Sequence, residues 1–288
     1  MRFLFSLSSF ITAWRDYPAE TKTVLGNRYV VQELIGEGSY GLTYKCIDNN
    51  RGDIVAVKQA RASKGKDARQ LLTREAVILK SLKHPQIPAY KDLFTEKRNT
   101  YLVMSYVSGD TLEELIFEQK IKFSEHKCLK ITIQLMEIVL YIHTKGYVHL
   151  DLRIPNVLFK NGVIHLIDFG LARRIGESSP LKKSVRTWFK DRSTLSSGAY
   201  KTSEELSDLQ DIGHFMLFML YSVFEPDAAI NESMERSWQE ELDLSSQIRE
   251  ILERLLNLRE PYKSSKHFMD DLRKLDLDYD TQYSSQTI

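Results

Sequence analysis

Polar and apolar positions along the chain change period partway through. Tyr29-Val30-Val31, Leu42-Thr43-Tyr44-Lys45-Cys46 and Ile54-Val55-Ala56-Val57-Lys58 are rich in β-branched and aromatic residues. Glycine- and asparagine-bearing turns separate them, at Gly36-Glu37-Gly38 and Asn49-Asn50-Arg51-Gly52, so the pattern predicts strands. Ala68, Leu72, Ala76, Leu79 and Leu82 recur at helical spacing, which predicts a helix over 67–82, closed by His84-Pro85. Two more strands follow, Tyr90 to Phe94 and Tyr101 to Tyr106. From Thr111 onward helical periodicity dominates. A long helix is predicted over 124–144 with Ser124 as its N-cap. A helix over 208–223 is apolar most of the way round and so should be buried. Two last helices are expected at 245–257 and 265–275, followed by a polar, frayed tail over 276–288. Val157-Leu158-Phe159 and Val163 to Ile167 flank Asn161-Gly162, a hairpin signal. Strands with one helix, then mostly helices, give an α+β chain with two lobes.

Composition narrows this picture. Forty basic and thirty-nine acidic side chains nearly cancel, so net charge carries no nucleic-acid signal. The two cysteines, Cys46 and Cys128, lie far apart and suit a reducing compartment, the cytoplasm, better than a disulfide framework. No apolar run reaches membrane-spanning length. Phe3, Leu4, Leu7, Phe10, Ile11 and Trp14 recur at helical spacing with serines between them. Residues 1–17 therefore read as an amphipathic extension. It either docks on the protein's own surface or touches a membrane peripherally through residues 1–16; serines rather than lysines on its polar face favour the first.

The densest chemistry lies in His149-Leu150-Asp151-Leu152-Arg153-Ile154-Pro155-Asn156 and in Asp168-Phe169-Gly170, beside apolar runs. Carboxylates placed there would be costly as mere buried structure; a divalent cation and a phosphate would give them partners. Gly36-x-Gly38-x-x-Gly41 lies between two strands rather than opening a helix, which argues against a dinucleotide fold. On a hairpin such glycines let backbone N–H groups approach phosphate, although alone they could be an ordinary turn. Lys58 shares a strand face with Ala56, and Glu75 on the next helix could partner it. A lysine at a strand end is more often a surface residue whose stem alone is buried.

Together, Gly36-Glu37-Gly38-Ser39-Tyr40-Gly41, Val55-Ala56-Val57-Lys58, Glu75, the 149–156 stretch and Asp168-Phe169-Gly170 resemble the eukaryotic-type serine/threonine protein kinase family, in a compact, bacterial-like form. The resemblance covers 28–275. It implies a two-lobed kinase fold: a small antiparallel β-sheet lobe with one helix over 28–106, and a mainly helical lobe over 108–275. It implies transfer of the γ-phosphate of ATP to serine or threonine hydroxyls of protein substrates, with autophosphorylation. The cofactors would be ATP and Mg²⁺, with Mn²⁺ as the alternative metal. The glycine loop, from Ile35 through Gly41, would cover the phosphates, and Lys58 would hold them while pairing with Glu75. Asp151 would orient or deprotonate the acceptor hydroxyl, Arg153 would neutralise the transferring phosphate, and Asn156 and Asp168 would hold the metal. Met104 would be the gatekeeper, with Ser105 to Val107 as the hinge. Thr43, Ala56 and Leu158 would contact adenine, and Asp110 would reach the ribose. Leu79, Tyr90, His149 and Phe169 would form an apolar spine based on Asp208, making His149 structural.

The chain also departs from that family. Leu150 replaces the arginine that usually receives a phosphorylated activation segment. No Ala-Pro-Glu motif appears, and the arginine that normally pairs with its glutamate would fall near Ser264. Losing both partners of a buried ion pair can be nearly neutral, so this region reads as repacked. Residues 173–206 read as a mobile segment with Ser184, Thr187, Ser193 and Thr194 as candidate phosphorylation sites. Two other readings stand beside the protein kinase: a small-molecule kinase of the aminoglycoside or choline type, favoured by the missing motif, and an ATP-binding pseudokinase module. Retention of Lys58, Glu75, Asp151, Asn156 and Asp168 argues against the last.

Overall fold

In a computed structural model of the chain, residues 16–177, 204–225 and 236–284 are described. The predicted N-terminal helix and the four candidate phosphorylation sites lie outside them. The chain divides into two compact units: residues up to Ser108 with Asp168–Arg173, and Gly109–Ile167 with Arg174–Glu177 and the described residues from Glu204 onward.

The first unit is built on an antiparallel sheet ordered β1-β2-β3-β4-β6-β5. Its strands are β1 (Val24–Leu25), β2 (Tyr29–Glu37), β3 (Gly41–Asp48), β4 (Ile54–Ala60), β5 (Tyr90–Glu96) and β6 (Asn99–Ser105). Alternation sends Tyr29, Val31, Leu42, Tyr44, Cys46, Val55, Val57, Tyr101 and Val103 into one cluster. Phe94 closes its edge, stacked between Tyr29 and Tyr101 at centroid distances of 5.7 and 5.0 Å. Helix α1 (Gly65–Ser81) buries Ala68, Leu71, Leu72, Ala76, Ile78 and Leu79, and packs on β4, β5 and β6. Glu75 shares that buried stripe, which places its carboxylate next to the sheet.

The second unit is mainly helical. A two-residue strand β7 (Asp110–Thr111) leads into α2 (Leu112–Phe117) through a capping box between Thr111 and Glu114. Helix α3 (Glu125–Thr144) is capped by Ser124, as its sequence predicts. After the short strand β8 (Tyr147–Val148) come β9 (Val157–Lys160) and β10 (Val163–Leu166). Asn161 and Gly162, at φ 51° and 81°, make the two-residue hairpin turn that their sequence signals. Helices α4 (Glu204–Tyr221), α5 (Trp238–Glu241), α6 (Ser246–Leu255) and α7 (Ser265–Ser284) complete the unit. Helix α3 packs on α4 and α7, and α4 on α6.

The expected end of α7 at residue 275, with a frayed tail beyond it, is corrected: the helix continues to Ser284. Its extension is held by polar bonds that apolar periodicity does not register. Asp276 pairs with Lys130 at 2.9 Å, and the Tyr279 hydroxyl donates to Glu125 at 2.7 Å. The Tyr279 ring stacks on His126 at 5.2 Å.

Candidate active site

In the first unit, strand register does much of the positioning. Thr43 pairs with Gly36 on one side and Lys58 on the other, and Ala56 pairs with Met104, so these residues occupy neighbouring rows of one sheet. Gly41 allows a close approach: a Cβ there would lie 3.1 Å from the Gln59 carbonyl oxygen and 3.3 Å from Lys58 Cε. The loop tip closes through the Gly38 N–H, which donates to the Gly41 carbonyl at 2.9 Å. The segment from Ser105 to Ser108 ends this unit, with Ser105, Tyr106 and Val107 only partly buried.

Lys58 Nζ lies 2.8 Å from Glu75 Oε2 and 2.7 Å from Asp168 Oδ1. The other Glu75 oxygen accepts the Phe169 N–H at 3.2 Å, and Asp168 Oδ1 also accepts the Gly170 N–H at 3.0 Å. Asp168 sits in the left-handed region, φ 61°, a strained conformation for a non-glycine residue. Burial alone would lower the Lys58 pKa, but the Asp168 and Glu75 carboxylates outweigh it; the net shift is upward and the ammonium stays charged. Burial pushes the Glu75 carboxyl up, Lys58 pulls it down and Asp168 raises it again, for a net rise. Two carboxylates against one ammonium leave the trio short of positive charge. Asp168 is also 41% exposed, so it could supply an oxygen to a hard cation.

The second unit holds the other half of the predicted residues. Asp151 Oδ1 lies 2.8 Å from Arg153 Nε, and its Oδ2 accepts from Asn156 Nδ2 at 2.9 Å. Asn156 Nδ2 also donates to the Asp151 carbonyl at 2.9 Å, so the amide oxygen is the atom left for a metal. Asp110 and Leu158 meet in the small sheet β10-β9-β7, where Asp110 pairs with Phe159 and Thr111 with Leu158. The predicted metal ligands thus belong to different units: Asp168 is grouped with Lys58 and Glu75, and Asn156 with Asp151. Ala56 and Leu158 divide in the same way. Among the described residues, no group of three or more His, Cys, Asp or Glu side chains could hold a metal ion.

Beneath the loop, Asp208 is fully buried. It accepts the His149 N–H at 3.0 Å and the Leu150 N–H at 2.7 Å, and lies 2.8 Å from His143 Nε2. His149 itself is buried, and Leu150 has φ 63°. One helical turn further on, Asp211 accepts the Leu152 N–H at 3.3 Å. Sequence reasoning passed over Asp211, although an acid inside a largely apolar helix was a signal. It also missed Ser265, whose hydroxyl lies 3.2 Å from His143 Nδ1. Ser264, where an arginine was expected to be missing, caps α7 by accepting the His267 N–H at 3.1 Å.

What these side chains can do is neutralise phosphate charge and take the proton of a hydroxyl, which is the chemistry of phosphoryl transfer. The fold and the site therefore define a phosphotransferase. Comparison with known proteins makes this particular: the family model described as protein kinase domain matches residues 29–272, and the chain belongs to that family. It is 32% identical over 261 residues to a Bacillus subtilis (strain 168) protein named as a probable serine/threonine-protein kinase, YbdM, covering 90% of this chain and 93% of that one. It is 34% identical over 172 residues to the smooth muscle myosin light chain kinase of Gallus gallus, a match spanning 59% of this chain and 9% of that protein. Among solved structures, the apo form of PpkA-294 superposes with a TM-score of 0.66 at 19% identity, covering 88% of this chain and 99% of that one. At that identity it shows the fold alone, which is the protein-kinase fold.

Proposed function

We infer that this chain is an ATP-dependent serine/threonine protein kinase. The observation that carries the reading is Lys58, a largely buried ammonium held between Glu75 and Asp168. A cation fixed by two carboxylates and kept protonated is preorganised for the phosphates of ATP. Asp151, held by Arg153 and Asn156, is the candidate to orient or deprotonate the acceptor hydroxyl. Asp168 and the Asn156 amide oxygen would hold the divalent metal, Mg²⁺ by preference for an all-oxygen set with Mn²⁺ tolerated, and the metal would supply further charge neutralisation on the phosphates. The substrate is a protein hydroxyl, and Ser184, Thr187, Ser193 and Thr194 are candidates for self-modification.

The place of action we propose is the cytoplasm. Cys46 and Cys128 are buried free thiols, the state a reducing compartment maintains. Peripheral membrane contact would fall to residues 1–16; among the described residues no helix is long and apolar enough to cross a membrane.

The test is purified protein with labelled ATP, Mg²⁺ and a generic protein acceptor, beside Asp151→Asn and Lys58→Ala. Label should reach protein serine and threonine. Asp151→Asn should lower the rate by at least ~10²-fold with its circular dichroism unchanged. ATP binding without transfer would overturn the reading in favour of a binding module, and transfer only to small alcohols in favour of a small-molecule kinase.

A further inference from the structure

Arg61 follows β4, the strand that carries Lys58. Its backbone N–H donates to the Tyr40 carbonyl at 2.8 Å, and its side-chain Nε donates to the Gly38 carbonyl at 2.7 Å. Its Nη2 lies 3.6 Å from the Glu37 carboxylate. One residue thus grips the glycine-rich loop on both sides of its tip. Its Nη1 lies 3.9 Å from Asp16 Oδ2, while Asp16 Oδ1 accepts the Ser63 N–H at 3.0 Å. The Arg61 and Asp16 side chains are 20% and 13% exposed, and at 3.9 Å they form an ion pair without a hydrogen bond. A guanidinium is a planar fork of donors, and only arginine could reach carbonyl and carboxylates in several directions at once.

The grip has a consequence for anion binding. In a trans peptide the C=O and the following N–H point in opposite directions. Holding the Gly38 carbonyl toward Arg61 therefore aims the Ser39 N–H the other way. The Gly38 N–H is spent on the Gly41 carbonyl, while the Ser39 N–H points away from Arg61. Oriented backbone N–H groups of this kind attract phosphate oxygens.

We propose that Arg61 is a positioning residue for the nucleotide loop, and that Asp16 orients Arg61, so that the chain preceding β1 tunes the affinity for ATP. This rests on the kinase reading above. It extends that reading to a residue outside the motifs and gives residue 16 a role in nucleotide binding.

The experiment measures KM for ATP and kcat for wild type, Arg61→Ala, Arg61→Lys, Asp16→Ala and the Arg61→Ala/Asp16→Ala double variant, with melting temperatures for all five. Arg61→Ala should raise KM for ATP about 5- to 20-fold, the scale of a lost charge-assisted bond, with kcat within about threefold. Arg61→Lys should fall between it and wild type, because charge returns without the fork. Asp16→Ala should raise KM about 2- to 4-fold alone and not at all on top of Arg61→Ala. An unchanged KM in Arg61→Ala overturns the proposal, as does a kcat loss at constant KM, which would make Arg61 a group touching the transferring phosphate. Additive effects of the two substitutions overturn the role of Asp16. If the wild type binds no ATP, it is the kinase reading that has failed.

Discussion

Replacing Asp208 with alanine removes the acceptor of two backbone N–H groups and a partner of one imidazole. Asp208 is fully buried, and the distances to the His149 N–H, the Leu150 N–H and His143 Nε2 are 3.0, 2.7 and 2.8 Å. Each buried donor left without a partner costs about 1–3 kcal/mol, so the two amides alone cost about 2–6 kcal/mol. His143 adds to that cost. Leu150 adds strain: its φ of 63° is a conformation that costs a branched residue about 1–2 kcal/mol and that the bond to Asp208 helps hold. Against the ~5–15 kcal/mol that a native protein has in total, a loss at the upper end would unfold the mainly helical unit at room temperature. Asp208→Asn keeps one carbonyl oxygen in place and should lose roughly half as much. Urea unfolding followed by circular dichroism measures the loss, and hydrogen exchange of the peptide spanning residues 149–152 localises it. An alanine variant within about 1 kcal/mol of wild type, with unchanged exchange in that peptide, would refute the claim that Asp208 holds the loop.

Three further outcomes are expected. Burial, and then the charge of Asp208, push the Asp211 carboxyl up to about 8 from an ordinary value of 3.8. A raised carboxyl stabilises the fold below its unfolded pKa and loses that contribution as pH climbs through the folded one, so wild type should lose stability between about pH 4 and pH 8. Asp211→Asn should flatten that slope in melting temperatures taken across the same range; an identical slope would rule Asp211 out. Gly213→Ala would place a Cβ 2.9 Å from Leu255 Cβ and 3.1 Å from Leu256 Cδ2, forcing α4 and α6 apart at a cost of about 1–3 kcal/mol, read as a lower melting temperature. Because Leu150 stands where the resemblance places a phosphate-binding arginine, phosphatase treatment should leave activity within about twofold, and its abolition would show dependence on a phosphorylated segment.

Local rules carried much of the sequence reading. The Asn161-Gly162 turn and the Ser124 cap follow from backbone chemistry within a few residues, and no tertiary context overrides them. The pairing of Lys58 with Glu75 was legible because a charge on an inward strand face has to find a counter-charge, and α1 offers one on its buried stripe. What stayed hidden shares one property: its partners are distant in sequence and polar. Asp16 and Arg61 are ordinary charged residues until the fold sets Asp16 beside Arg61 and Arg61 against the glycine loop. The last turns of α7 look solvated because their bonds to α3 involve Asp276 and Tyr279 rather than an apolar stripe.

The same logic accounts for the departures in the loop at 149. Asp208 and Asp211 lie three positions apart on α4, so their carboxylates share one face of the helix. Asp208 takes the N–H groups of His149 and Leu150, and Asp211 that of Leu152. Three backbone amides around the Asp151 backbone are therefore fixed from below by a buried helix. His143 ties that helix to α3, and through Ser265 to α7. In a loop held in this way, a leucine at residue 150 leaves no unpaired charge. The Ser264 cap and the Ser265 hydroxyl stand in the region where the arginine of the arginine–glutamate pair was expected to be missing, and they supply hydrogen bonds where an arginine would have supplied charge. Exchanging a buried ion pair for satisfied neutral bonds costs little, because the desolvation penalty of the ions disappears with them.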